Sequence, residues 1–149
     1  MTLLEWKDAY SVGVETLDQD HKRLIDVINR VAATEERGGS VAWAVHELAE
    51  YARVHFRREE RMMQSAGYAE FTAHVKEHKA FLEWLRSVGS ALSLDAQAQF
   101  YLAATIKSHL REWLDEHILR SDMGYKPALA GNARKNTPTA ESVASAAVD

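Results

Sequence analysis

No cysteine occurs in the 149 residues. Disulfides, thiolate zinc sites, cysteine-held iron–sulfur clusters and covalently attached c-type haem are thereby excluded. Proline is nearly absent as well: Pro127 and Pro138 are the two copies, so everything before position 127 is free of a helix breaker. No apolar run approaches the roughly 18 residues of a membrane span. The opening MTLLEWKDAY has neither the basic start nor the apolar stretch of a secretory leader, so the expected localisation is cytoplasmic. Charge of one sign is scarce too. Lys and Arg number 18 against 22 Asp and Glu, a net charge of -4, and no basic run exceeds two residues, as at Arg57-Arg58. Nucleic acid and anionic membranes are therefore not expected as partners.

What is present is a chain of ordinary composition, 46% hydrophobic and 27% charged, long enough to bury one core. Glycines punctuate it at Gly13, Gly38-Gly39, Gly67, Gly89 and Gly124. Between them run four segments of helical periodicity, at about 18–37, 40–65, 70–88 and 94–121. Asp18, Ser40 and Ser93 stand where N-caps are expected, and Gly38, Gly67 and Gly89 where helices are expected to stop. The expected fold is all-α: an up-down-up-down four-helix bundle with an N-terminal arm and a flexible C-terminal tail. Residues 1–125 form the bundle with its arm, which carries Trp6, Tyr10, Val12 and Val14. Residues 126–149 form the tail, rich in small and polar residues.

The apolar stripes carry polar intruders. They run Leu17, His21, Leu24, Ile28, Val31 in the first helix, and Val41, Val45, Leu48, Ala52, His55, Glu59, Met62 in the second. The third reads Phe71, His74, His78, Phe81, Leu85, and the fourth Phe100, Ala103, Ile106, Leu110, Leu114, His117. Polar groups are costly to bury unless paired or bound to something. In an up-down-up-down bundle the start of the first helix, end of the second, start of the third and end of the fourth share one end. Five histidines and a glutamate therefore converge on one layer. His55/Glu59 and His74/His78 are i,i+4 pairs, so each pair shares a face and can serve one metal site. Asp122 follows His117 by five residues, about 140° round a regular helix. For both to point inward the helix must loosen, through a π-type turn or fraying.

A single histidine on an apolar stripe is more often a hydrogen-bonded core residue than a ligand. Five at one depth, with inward carboxylates, would leave many buried polar atoms unsatisfied unless a metal joins them. His46 falls beside its stripe and is expected at the surface. His109 is expected to line the core without touching metal, and Met62 and Met63 to pack. Glu35, Glu36, Glu60, Glu77 and Asp115 are read as solvated or as outer partners of the histidines. Other metal patterns match poorly: HELAE at His46–Glu50 lacks the second histidine of a zincin, and no histidine follows a glutamate by three. An imidazole-rich set suits iron, zinc or copper better than calcium or magnesium, and two carboxylates among five imidazoles suggest a dinuclear site.

The stretches YSVGVETLDQDHKRLI, HFRREERMMQSAGYAEFTAHVKEH and WLDEHILRSDMGY, with Trp6 ahead of them, resemble the hemerythrin family, especially its single-domain bacterial members. The likeness spans about residues 6 to 125. It implies two iron ions with a bridging hydroxide or oxide, held by His21, His55, Glu59, His74, His78, His117 and Asp122. Glu59 and Asp122 would bridge, His74, His78 and His117 would serve one iron, and His21 and His55 the other. One position on the two-histidine iron stays open, and the implied function is reversible O2 binding there, for storage, delivery or scavenging. The resemblance implies O2 held as hydroperoxide on this five-coordinate iron, with the core's net charge the same with and without O2. No catalytic residue is expected, beyond weak peroxidase- or oxidase-like side activity. The alternatives are an O2 or redox sensor acting through a separate partner, and a di-iron enzyme. Leu114, Phe56, Trp113 and Ile118 are expected to line the O2 pocket. A redox or O2-consuming partner protein stays open, and a monomer is expected. The chain departs from the family pattern at Asp20, usually Gln, and at Met123, often Lys.

Overall fold

The computed structural model describes residues 3–136, and among them every regular element is helical. The helices are α1 (Glu15–Glu36), α2 (Ala42–Ser65), α3 (Phe71–Leu94), α4 (Ala103–Trp113) and α5 (Met123–Asn136). A π-helical segment, Leu114–Asp122, joins α4 to α5 without a break, so 103–136 form one long fourth rod. α1 packs on α2 and α4, and α2 on α3. Short connections oblige neighbouring helices to run antiparallel, which gives the expected bundle.

Two glycines set the turns. Gly38 and Gly67 take φ of +65° and +66°, the left-handed conformation that a side chain disfavours. Around Gly67, Tyr68 N donates to Met63 O and Gly67 N to Gln64 O. Around Gly38, Gly39 N donates to Thr34 O and Gly38 N to Glu35 O. Both are Schellman endings, which satisfy carbonyls a helix end would otherwise leave bare.

Several sequence expectations change. Gly89 does not stop α3, which continues to Leu94, and Ser93 donates back to Gly89 O instead of capping a new helix. Asp95 is the residue that redirects the chain: it accepts from Gln97 N (3.0 Å) and from the Tyr101 hydroxyl (2.5 Å), winding Ala96–Phe100 into a 3-10 turn. The fourth helix therefore starts at Ala103, and Phe100 is half exposed, not in the core. In α2 it is Met63 that is fully buried, and Met62 lies at the edge. At the other end, the rod runs straight through Pro127 to Asn136, and Leu129 is buried. Residues 126–136 thus extend the bundle instead of forming the start of a flexible tail; 137–149 lie outside the described residues.

Asp18 is not the cap of α1 but an anchor inside its first turn. It accepts from the Ser11 hydroxyl (2.5 Å) and from Val12 N (2.9 Å). Leu4 and Asn29 exchange two hydrogen bonds of 2.9 Å, and Lys126 Nζ donates to Ser11 O. The arm is thereby pinned to α1 and α5, and Val12 is buried.

The core falls into two apolar clusters. The larger includes Leu24, Ile28, Phe56, Phe81, Leu114 and Ile118; the smaller is Val12, Leu17, Met63, Tyr125 and Leu129. On every helix a polar layer separates them: His21 lies between Leu17 and Leu24, Glu59 between Phe56 and Met63, and Asp122 between Ile118 and Tyr125. Asp18→Ala should release the arm that closes the smaller cluster, lowering stability by about 1–3 kcal/mol for two lost bonds. Chemical denaturation and hydrogen exchange at Val12 check this; unchanged protection there would show that the arm is held by its apolar contacts alone.

Candidate metal centre

All seven side chains of the polar layer are buried: His21, His55, Glu59, His74, His78, His117 and Asp122. His55 and Glu59 come from consecutive turns of α2, and His74 and His78 from consecutive turns of α3. His117 and Asp122 both belong to the π-helical segment. Its wider turn carries about 4.4 residues, and so brings positions five apart onto one face, where a regular α-helix would aim Asp122 away.

Each carboxylate divides its two oxygens between two groups of histidines. Glu59 Oε1 lies 2.8 Å from His74 Nε2 and 2.9 Å from His78 Nε2, while Oε2 lies 3.0 Å from His55 Nε2 and 3.7 Å from His21 Nε2. Asp122 Oδ1 lies 2.9 Å from His74 Nε2 and 3.1 Å from His117 Nε2, and Oδ2 lies 3.0 Å from His21 Nε2. Two nests result. One gathers His74, His78 and His117 with one oxygen from each carboxylate; the other gathers His21 and His55 with the second oxygens. Within each nest the donor atoms all lie within 4.8 Å of one another.

The chemistry of these atoms suits a cation. Ligands bound at 2.0–2.2 Å and at right angles stand about 3 Å apart, the spacing found here. Both ring nitrogens of His21 and His117 and both oxygens of Asp122 make no aligned hydrogen bond, although nitrogen and oxygen approach to about 3 Å. Buried polar atoms left this way cost about 1–3 kcal/mol each. Atoms converging on a common point instead of on one another are what a metal requires.

Outer partners hold the imidazole rings. His55 Nδ1 donates to Asp20 Oδ2 (2.9 Å), which also accepts from Arg58 Nη1 (2.6 Å). His78 Nδ1 donates to Glu60 Oε2 (2.8 Å). His117 Nδ1 lies 3.4 Å from Glu77 Oε2, and Glu77 is steadied by the Ser121 hydroxyl at 2.9 Å. Such partners fix the ring orientation so that Nε2 points at the site. On the Glu59 side, the Tyr125 hydroxyl donates to Oε2 at 2.8 Å. Phe56 stacks on His78 and Trp113 on His117, both with ring centroids 3.9 Å apart, while Tyr51 stacks on His55 at 5.1 Å.

The structure brings together the seven residues expected from the sequence, and of the five acidic residues read as solvated or outer partners, Glu60 and Glu77 stand beside the histidines. Sequence reasoning missed Asp20 as a partner of His55, because the contact crosses from α1 to α2 and has no local spacing. It also missed Tyr125 and Tyr51, although helical spacing hints at both, three residues after Asp122 and four before His55. His109 stacks on Trp84 at 3.8 Å and lies outside both nests, and His46 is exposed. Of the expected pocket wall, Leu114, Ile118 and Phe56 are buried and Trp113 is half-buried. Phe56 and Trp113 cover the three-histidine nest directly.

The layer's electrostatics follow from this packing. Burial disfavours a charged His21 or His74, but Asp122 and Glu59 outweigh it and lift both to about 9 in the metal-free chain. Burial and the charge of Glu59 would raise Asp122, yet His117 and His21 pull it down to about 2. Burial likewise opposes a charged Glu59, and the surrounding imidazoles, His55 foremost, hold it well below the carboxylate range.

Comparison with known proteins gives the same picture. Residues 12–129 match the family described as hemerythrin HHE cation binding domain. A bacteriohemerythrin of Stenotrophomonas maltophilia (strain R551-3) is 32% identical over 127 residues, covering 84% of this chain and 80% of its own. One from Pseudomonas aeruginosa (strain LESB58) is 32% identical over 131 residues, covering 87% and 83%. A hemerythrin-like protein of Naegleria gruberi is 32% identical over 127 residues, covering 83% and 92%.

The shifts predict a pH profile. Histidines raised from 6.5 to about 9 stabilise the metal-free fold fully below pH 6.5, and that contribution disappears as pH climbs through about 9. Asp122, lowered from 3.8 to about 2, contributes above pH 3.8 and loses its effect as pH falls through about 2. The metal-free chain should therefore melt at falling temperatures between pH 6.5 and 9. With iron(II) in excess the fall should vanish, because metal binding needs unprotonated imidazole. Thermal denaturation with and without metal tests this; a metal-free melting temperature that rises over the window would contradict it.

Proposed function

The chain belongs to the hemerythrin family, and from that premise we propose that it binds O2 reversibly at a non-haem di-iron site formed by the two nests. The observation that carries the reading is the split of Glu59 and Asp122, each offering one oxygen to either nest. Two carboxylates so placed suit a pair of ions rather than one. His74, His78 and His117 would hold the first iron, and His21 and His55 the second. Two ferrous ions held there would supply the electrons for reversible O2 binding without a separate reductant.

The chain's own residues account for the rest. The three-histidine nest offers five protein donor atoms and the two-histidine nest four, so any exogenous ligand belongs on the His21/His55 side. Asp20, Glu60 and Glu77 hold the imidazole rings against rotation. Tyr125 donates to Glu59 Oε2, favouring its charged, bridging form and closing the layer from the smaller apolar cluster. Leu114 and Ile118, buried in the larger cluster and next to the ligands in the chain, keep bulk water from the other side. A dry wall keeps water and protons from the nests, the condition under which O2 would be released rather than further reduced.

Metal analysis with a visible spectrum tests the proposal. Anaerobic reduction, admission of O2 and its removal should show two irons per chain and an absorption that comes and goes with O2. Iron that oxidises once with no reversible band would replace the carrier by an oxidase or redox sensor. Leu114→Ala should admit water and speed decay of the oxygenated form on the order of tenfold, the equivalent of about 1.4 kcal/mol. Stopped-flow decay at constant O2 measures it, and an equal rate would remove Leu114 from the pocket wall.

A further inference from the structure

One polar group beside the site has no role so far. Tyr51, one turn before His55 on α2, is buried, 2% exposed, and its ring lies nearly parallel to the His55 imidazole, at 13°. Among the described residues its hydroxyl makes no hydrogen bond, and neither does the buried indole N–H of Trp113, a residue half-buried as a whole. The indole N–H bears on the phenol oxygen, short of a closed bond. Even if that bond closed, the indole would be the donor, so the phenol proton would still lack an acceptor. The nearby carboxylates are engaged elsewhere, Glu59 and Asp122 with the imidazoles and Asp20 with His55 and Arg58.

A buried hydroxyl without a partner is destabilising, and a phenylalanine would fill the same space without that cost. The position of this one is informative. Tyr51 covers His55, in the nest that is one protein donor short, and Trp113 covers His117 in the neighbouring nest. Phe56 packs against both Tyr51 and Trp113. Burial, with the charges of Asp122 and Glu59, holds the phenol well above its ordinary range, so it remains a donor at neutral pH.

We propose that Tyr51 is a positioning residue whose hydroxyl donates a hydrogen bond to the outer atom of a small acceptor-bearing guest, dioxygen or azide, held at the two-histidine nest. This rests on the two-iron reading of the site. The guest supplies the acceptor that the folded chain lacks, so the orphaned donor becomes a source of affinity and of orientation.

Tyr51→Phe tests the inference, with azide as the probe and the iron-loaded protein as the sample. Azide affinity should fall about five- to tenfold, the worth of one hydrogen bond to an anion in a dry pocket. The wild-type azide stretch in resonance Raman should shift in D2O, and the shift should be absent in the variant. In the metal-free protein, Tyr51→Phe should leave the melting temperature equal or higher. Equal azide affinity in both proteins, each with two irons, would overturn the role of Tyr51 and leave the di-iron reading intact. A markedly lower melting temperature of the metal-free variant would show a structural hydroxyl and overturn it as well. A wild type that takes up no iron and shows no azide band would remove both readings together.

Discussion

Two buried carboxylates, each shared between two groups of imidazoles, are the constraint around which the molecule is organised. Glu59 and Asp122 have no solvent access, and among the described residues neither pairs with a lysine or arginine. Their burial is tolerable because five histidines surround them and because their oxygens point in two directions. In the metal-free chain that surrounding charge already keeps both ionised. Proton and metal thus compete for one set of lone pairs, and the layer stays polar in either state.

The bundle accommodates this layer by dividing its apolar core. A single continuous core would have had to admit seven polar groups among its aliphatic side chains. Two clusters with the layer between them let each helix pass from apolar to polar to apolar within about two turns. The smaller cluster closes one side and draws on both ends of the chain, Val12 from the arm and Tyr125 and Leu129 from α5. This gives the arm and the last helix a purpose: they seal the site. The hydrogen bonds from Ser11 and Val12 to Asp18, and from Lys126 to Ser11, tie those two lids to α1 and to each other.

The walls are graded. Aromatic rings lie flat on His78 and His117 of the three-histidine nest, with centroids 3.9 Å apart, and the Tyr51 ring lies over His55 of the other nest at 5.1 Å. Outer carboxylates are attached to His55, His78 and His117, with Arg58 and Ser121 behind two of them. Asp20 forms with Arg58 a charged pair behind the two-histidine nest, and its carboxylate would make His55 a stronger donor to a metal held there.

Helical periodicity, the two turn glycines and the absence of proline before position 127 settled the fold class. Histidines at one depth on four stripes settled the candidate site, because side-chain direction in a helix follows directly from spacing. The five-residue step from His117 to Asp122 called for a π turn or fraying, since no regular helix aims both inward, and the chain takes the π turn. What spacing could not decide was set by contacts between distant segments. The run through Pro127 depends on Tyr125 and Leu129 finding Val12 and Met63, and Asp20 reaches His55 only because α1 lies against α2. Asp95 ends one helix regime and delays the next through two hydrogen bonds that composition does not reveal. Local sequence fixes where a side chain points; tertiary packing alone decides what it meets, and the partner of each buried polar group is a matter of what it meets.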